Sequence, residues 1–324
     1  MLPFETVLQR IEDEISRLRF DSPPKSLYDP VAYILALGGK RLRPALALMA
    51  CNIYDDSVEK AVCPALGLEV FHNFTLLHDD LMDNADKRRN KPTVHKVWNA
   101  NTAILSGDAM LIAAYRLIGL TPAAYLKDVL DLFTQTALEI CGGQQYDMEF
   151  EARRDVSEEE YLEMIRLKTA VLLACCLKTG AVVGGASRED AGHLYDFGIN
   201  VGLAFQLQDD LLDVYGDTAV FGKNIGGDIL CNKKTFLLVN ALKQASKEQA
   251  DVLTRWMNRR EFDPSEKIAA FTCIYNELQL KRQTEQRMKA YCDAALKHLE
   301  ALSVPKERTE MLQTVCNRLL YRQA

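Results

Sequence analysis

Strand-like alternation of apolar and polar residues is scarce in this sequence, which argues against a β-rich fold. No CxxC pair occurs among its nine cysteines, their number is odd, and most sit in apolar, helix-periodic stretches. A zinc site or a disulfide framework is therefore not expected, and buried free thiols in a reducing cytosol are. Positive charge is not in excess: the net charge of −6 argues against nucleic acid as the main partner. The first twenty residues mix apolar side chains with Glu, Asp and Arg and lack the apolar core of a signal peptide. No uninterrupted apolar run reaches about 18 residues, and the best candidate, from Ala170, is broken by Lys178, so no stable membrane insertion is expected. Short repeats and linkers are missing too. What remains is 324 residues, 48% hydrophobic and 26% charged, enough to bury a large core. The expectation is one all-α cytoplasmic domain over residues 1–324.

Period near 3.6 fills the chain. Predicted helices cover residues 3–18, 30–37 with Pro30 in the first turn, 45–54 after Pro44, and about 60–83. Further helices cover 102–118 and run from Pro122 through Gln144. Another starts at the acidic stretch 156–160 and carries Lys168 and Thr169; the next starts near 186–190. Residues 21–24 and 84–92 read as loops, and Gly38-Gly39 as a left-handed helix stop. Residues 215–234 lack periodicity and hold four glycines with Lys223, Lys233 and Lys234, the pattern of a mobile flap over a ligand. Helices return from Thr235 to the end, with breaks near Ser246, Asp263-Pro264 and Ser303-Val304-Pro305.

Chemistry concentrates where the helix from about residue 60 ends. Asp79, Asp80 and Asp83 lie within five residues, and Asp79 and Asp83 share a helix face at i, i+4. Like charges at that spacing repel, and a divalent cation is the natural relief. All-oxygen ligands with room for water and phosphate suit Mg²⁺. Lys87, Arg88, Arg89 and Lys91 follow directly, so metal carboxylates stand beside forks for phosphate. One acidic triplet alone is ordinary solvated surface. The same spacing recurs 130 residues later in Asp209, Asp210 and Asp213, again closing an apolar helix. Two such motifs, each fed by an apolar helix, are expected to face one cavity. Lys40, Arg41 and Arg43 gather after the Gly-Gly turn, where backbone N–H groups and cations together suit a phosphate. His72 lies two turns before Asp79 on roughly the same face, a candidate ligand contact, whereas His78 and His95 read as structural.

Gly38-Gly39-Lys40-Arg41-Leu42-Arg43-Pro44, His78-Asp79-Asp80-Leu81-Met82-Asp83 with Arg88-Arg89, and Gly143-Gln144-Gln145-Tyr146-Asp147 resemble motifs of the trans-isoprenyl diphosphate synthases. Phe205 through Asp213 and Gly222-Lys223 resemble the later motifs of that family, in family order over about residues 38–236. The family often has Gly-Lys before the last Thr, where this chain has Asn232-Lys233-Lys234-Thr235. The resemblance implies an all-helical bundle around a deep central cavity, usually a homodimer. It implies head-to-tail condensation of an allylic diphosphate with isopentenyl diphosphate. Asp79 and Asp83 would hold two Mg²⁺ and Asp209 a third, with Asp80, Asp210 and Asp213 as supporting carboxylates. Lys40, Arg43, His72 and Arg89 match contacts to isopentenyl diphosphate. Arg88, Lys168, Thr169, Gln206, Lys223 and Lys233 match the allylic side, with Lys168, Thr169 and Gln206 nearest the chemistry.

Product length is expected to depend on Phe74 and Thr75, just upstream of Asp79. An aromatic ring at that position resembles short-product enzymes, which predicts a C15 to C20 product, with a long-chain polyprenyl diphosphate as runner-up. A terpene cyclase needs no second diphosphate site, so Lys40-Arg41-Leu42-Arg43 speaks for the synthase. A non-catalytic partner subunit would tolerate loss of ligand residues, yet both triplets and all proposed anchors are present.

Overall fold

A computed structural model describes residues 1–216 and 225–320, and among these the only sheet is one two-stranded hairpin. Helix α1, Phe4–Arg17, buries Val7, Ile11 and Ile15 at four-residue spacing and turns its charges outward. Helix α2, Lys25–Ala36, begins a turn earlier than the sequence suggests, and Pro30 lies inside it. A missing N–H is cheapest early in a helix, which points to a start at Pro30, but Pro24 sets the entry instead. Helix α3, Leu42–Tyr54, is buried on every side from Pro44 to Ile53 and is a core helix. Helix α4, Glu59–Met82, carries the first acidic stretch at its end.

The expected loop 84–92 contains strands β1, Lys87–Arg88, and β2, Lys91–Pro92, paired antiparallel. Arg89 and Asn90 both have positive φ (52° and 62°), as a two-residue hairpin turn matched to strand twist requires. After α5, Val94–Val97, comes α6, Ala100–Ile118, capped by Asn99. Helix α7, Ala123–Ala152, outruns its expected end at Gln144. A Ser157–Glu160 capping box starts α8, Glu158–Ile165. One π turn, Arg166–Ala170, leads into α9, Val171–Gly184, and α10, Arg188–Tyr215, carries the second acidic stretch. The remaining helices are α11, Gly227–Leu230, α12, Phe236–Gln244, α13, Lys247–Asn258, α14, Pro264–Glu277, α15, Leu280–Glu300, and α16, Glu310–Leu320.

Contacts divide the chain into two compact units. The first comprises residues 1–134, 175–195 and 302–312. In it α3 packs on α1 and α4, and α4 lies along α6. The second comprises residues 135–174, 196–301 and those from 313 on. One of its apolar clusters gathers Leu211, Leu237, Phe271 and Tyr275, and another Phe150, Tyr161, Leu207 and Phe236. All nine cysteines are free; Cys51, Cys175, Cys176, Cys292 and Cys316 are buried, and Cys141, Cys231 and Cys273 are exposed. The stretch Glu158–Gly184 is long and apolar enough to cross a membrane, but 67% of its apolar window is buried within the protein, as in a core helix.

One polar contact inside the first unit departs from the sequence expectation. Arg41, grouped above with the phosphate cations, is 4% exposed and donates Nη1 to Glu69 Oε1 at 2.9 Å. Its Nε reaches Glu12 Oε1 at 3.0 Å and its Nη2 the Leu35 carbonyl at 2.8 Å. Arg41 thus joins α4, α1 and α2 instead of facing a ligand. Removing one partner of a buried pair leaves the other charge uncompensated. Arg41→Met is expected to lower unfolding free energy by about 3–5 kcal/mol, read from the denaturation midpoint. At exposed Lys40 the same change should stay within about 0.5 kcal/mol; equal losses at both positions would contradict this division of the turn.

Candidate active site

The last turn of α4 sets three carboxylates at the negative end of the helix dipole, an unfavourable place for anions. Helix geometry separates them. Asp79 and Asp83 stay together on one face, Asp79 partly exposed and Asp83 exposed. Asp80, a hundred degrees round, is buried, and Arg88 Nε donates to both its oxygens at 2.8 Å while Nη2 reaches Oδ1 at 2.7 Å. Burial pushes the Asp80 carboxyl up, and Arg88 opposes that. Arg88 Nη2 also comes within 3.7 Å of Asp79 Oδ2. Asp80, expected at the metal, therefore holds Arg88 in place.

Asp79 and Asp83 offer hard oxygen donors one turn apart. Among the described residues no group of three or more His, Cys, Asp or Glu side chains converges as a complete cage. A pair of carboxylates suits Mg²⁺, which takes one or two of them and fills its octahedron with water and phosphate.

Beside α4 in the same unit, the Gly38-Gly39 turn adopts positive φ and delivers Lys40, exposed, and Arg43, half-buried, at the start of α3. Arg43 Nη1 lies 3.0 Å from His72 Nε2. A guanidinium only donates, so Nε2 accepts and the ring proton sits on Nδ1. A Cβ at Gly39 would stand 2.7 Å from Arg89 Nη2, so the hairpin turn brings Arg89 against this turn. Arg43 and His72 are thus in contact, and Arg89 lies against the turn that precedes Lys40. Phe74 and Thr75 follow one turn on. The Phe74 ring lies 5.5 Å from Phe71 and 4.7 Å from the His78 ring; Phe71 in turn meets Phe133 at 5.1 Å. Thr75 donates to the His72 carbonyl at 2.8 Å.

In the second unit, the π turn presents Lys168 and Thr169. Lys168 Nζ donates to Asp147 Oδ2 of α7 at 2.6 Å. Burial works to raise the Asp147 pKa, but the charges of Lys233 and Lys168 hold it below the usual carboxylate range. Thr169 Oγ1 donates to Gln206 Oε1 at 3.2 Å, and Gln206 Nε2 donates to Asp210 Oδ1 at 3.3 Å. Asp210 is buried and accepts from the Tyr161 hydroxyl and, at 3.1 Å, from the Phe236 N–H. Burial, then the nearby Asp228, pushes its pKa up to about 7. Asp209 is half-buried on the same turn of α10. Asp213 Oδ2 accepts from the Asp228 N–H at 3.0 Å and holds the start of α11.

The two adjacent lysines divide cleanly. Lys234 is buried with Nζ 3.3 Å from the Glu151 and Asn232 carbonyls, whereas Lys233 is exposed and acts on Asp147 and Asp210. Lys223 and Gly222 lie outside the described residues. Three partners escaped the sequence reading. Asp147 stands in a motif whose residues alone do not show its use, and Tyr161 carries no signal. Lys267, fully buried, binds the Leu230 carbonyl at 3.0 Å and Asn232 Oδ1 at 2.8 Å, fixing the turn before Lys233.

Comparison with known proteins bears on the family and the fold. A family model described as polyprenyl synthetase matches residues 24–274. A short chain isoprenyl diphosphate synthase of Methanothermobacter thermautotrophicus is 39% identical over 246 residues, 76% of this chain and 74% of that protein. A geranylgeranyl diphosphate synthase of Methanosarcina mazei is 41% identical over 69% of this chain and 70% of its own. The crystal structure of a geranylgeranyl pyrophosphate synthase superposes with a TM-score of 0.95 at 42% identity, with 100% of both chains covered. These matches bear out the resemblance read from the motifs and the all-α fold.

His72 gives a direct check on the cation cluster. Burial, then Arg43, Arg89, Arg88 and Arg41, pushes its pKa well below the ordinary value. The unfolded chain therefore takes up the proton first, so this group's contribution to stability is full above the ordinary value and falls away as the pH drops below it. Near pH 6.5, where a free histidine is about half protonated, nitrogen chemical shifts should report a neutral Nδ1–H ring at His72. A half-protonated ring there would contradict the Arg43 contact.

Proposed function

The chain belongs to the polyprenyl synthetase family, and from that premise we propose that it is a Mg²⁺-dependent trans-isoprenyl diphosphate synthase. It joins isopentenyl diphosphate head-to-tail to an allylic diphosphate and makes a short-chain product of C15–C20. The observation that carries this reading is that each acidic stretch lies in a unit with its own built cation cluster: Arg43, Lys40 and Arg89 with His72 in one, and Lys168 with Lys233 in the other. A reaction with two diphosphate substrates needs two such clusters; a cyclase needs one.

The roles follow from the chemistry of each group. Lys40, Arg43, Arg89 and neutral His72 take the isopentenyl diphosphate. Lys168 and Lys233 take the allylic diphosphate. Asp79, Asp83 and Asp209 would hold the metal, three ions in all, which supplies positive charge to the leaving diphosphate. Asp80 and Asp210 position Arg88 and Gln206.

When the allylic C–O bond breaks, the electron pair leaves with the diphosphate and the carbon skeleton becomes a cation. Lys168 and Lys233 neutralise the departing oxygens. Thr169 donates a hydrogen bond from its hydroxyl to Gln206 Oε1, so its oxygen lone pairs are left to face developing positive charge. The isopentenyl double bond attacks the cation, and loss of one proton restores a double bond. None of the residues assigned here is a strong base, and the released diphosphate is the acceptor. We also read the protein as a cytoplasmic homodimer. Ile104, Leu105 and Ile112 of α6 and Leu120 beyond it are exposed large apolar side chains that a second copy would cover. The nine free thiols suit a reducing compartment.

Phe74, backed by Phe71 and Phe133, is the floor against which the growing tail stops. Chromatography of products from labelled isopentenyl diphosphate tests both parts. Wild type should give C15–C20, and Phe74→Ala at least one five-carbon unit more. Products of C30 or longer from wild type, or an unchanged distribution in the variant, would remove Phe74 as the floor. Asp79→Ala should cut turnover by about 10³-fold or more while the protein stays folded, because a charge-stabilising ligand is lost and a like-charge repulsion relieved. An unchanged Mg²⁺-dependent rate would refute the metal assignment.

A further inference from the structure

The π turn is the least economical piece of backbone near the proposed chemistry. Val171 N–H donates to the Arg166 carbonyl five residues back, so an extra residue is packed into Arg166–Ala170. Two helices of the same unit meet this turn at glycines. A Cβ on Gly143 of α7 would overlap the Lys168 amide nitrogen and lie 2.8 Å from the Leu167 carbonyl carbon and the Lys168 Cα. A Cβ on Gly202 of α10 would lie 2.5 Å from the Ala170 Cα and 2.6 Å from its Cβ. The atoms met are backbone or the first atom of a side chain, so no rotamer change relieves the overlap.

The same spacing follows each glycine. Four residues beyond Gly143, one turn along the same face, Asp147 takes Lys168 at 2.6 Å. Four residues beyond Gly202, Gln206 accepts from Thr169 at 3.2 Å. Each helix therefore brings its backbone in at a glycine and holds a side chain of the π turn one turn later.

We propose that Gly143 and Gly202 are positioning residues of the reaction: they seat the π turn between α7 and α10 at the depth where Asp147 reaches Lys168 and Gln206 reaches Thr169. This rests on the synthase reading above. The two sides should fail differently. Lysine has a long stem that follows a shifted backbone, so Gly143→Ala should act mainly on binding. Threonine is short and branched at Cβ, so Thr169 has no slack, and Gly202→Ala should act on the chemical step.

The test is steady-state kinetics on the full chain with Mg²⁺, isopentenyl diphosphate and geranyl diphosphate, with circular dichroism to confirm folding. Gly143→Ala should raise KM for the allylic substrate about tenfold and leave KM for isopentenyl diphosphate in place, and Gly202→Ala should lower kcat about a hundredfold, the size expected of a 1 Å misplacement. In a Lys168→Ala background Gly143→Ala should add nothing, and in a Thr169→Val background Gly202→Ala should add nothing. Wild-type rates in folded glycine variants, or losses that multiply with those of Lys168→Ala and Thr169→Val, overturn the proposal. Should a glycine variant not fold, Asp147→Asn decides: a raised allylic KM alone supports the clamp, and an unchanged one overturns it. Absence of turnover by wild type would instead sink the synthase reading itself.

Discussion

Negative charge gathered at the end of an apolar helix is the constraint on which the rest of this structure depends. It occurs twice, at the ends of α4 and α10, where the helix dipole makes anions least welcome. Each triplet meets it the same way. The middle carboxylate turns inward and is satisfied by protein: Asp80 by the Arg88 fork, Asp210 by Tyr161, Gln206 and the Phe236 N–H. The outer carboxylates share a face one turn apart and are less buried than the middle one. The buried member thus anchors a neighbouring side chain, Arg88 in one unit and Gln206 in the other, while Asp213 of the second triplet holds the start of α11.

Around these carboxylates, cations are placed by backbone features that are individually unfavourable. Arg89 sits at positive φ in a two-residue hairpin, Arg41 at positive φ before α3, and Lys168 on a π turn. Side-chain contacts fix two of these three places and a third one nearby. Arg41 has its buried pair with Glu69, the π turn has Asp147 and Gln206 on its side chains, and Asn232, also at positive φ, has Lys267. Strain at these points and order in the surrounding contacts are two sides of one arrangement.

Local pattern made the helices and the acidic stretches legible in the sequence, because both are written in spacings of three to four residues. The basic turn was legible only as a group. Nothing in Lys40-Arg41-Leu42-Arg43 tells which arginine faces the core, since Glu69, which claims Arg41, lies 28 residues away. Lys233 and Lys234 posed the same problem, and only the burial of Lys234 against Glu151 separates them. The hairpin 87–92 left no trace because its turn is Arg-Asn without glycine. The π turn has no signature in its own residues; the glycines that meet it, Gly143 and Gly202, lie on other helices. Asp147 stood inside a recognised motif, but its use depends on Lys168, 21 residues on. Apart from the hairpin, what sequence could not supply was in each case a pairing between residues far apart in the chain.

The central claim is that two diphosphates are held by two separately built sets of cations. It is tested most directly by measuring both Michaelis constants in Arg43→Ala and in Lys168→Ala. The account predicts that Arg43→Ala raises KM for isopentenyl diphosphate and spares the allylic substrate, and that Lys168→Ala does the reverse. Equal rises for both substrates in either variant would contradict it.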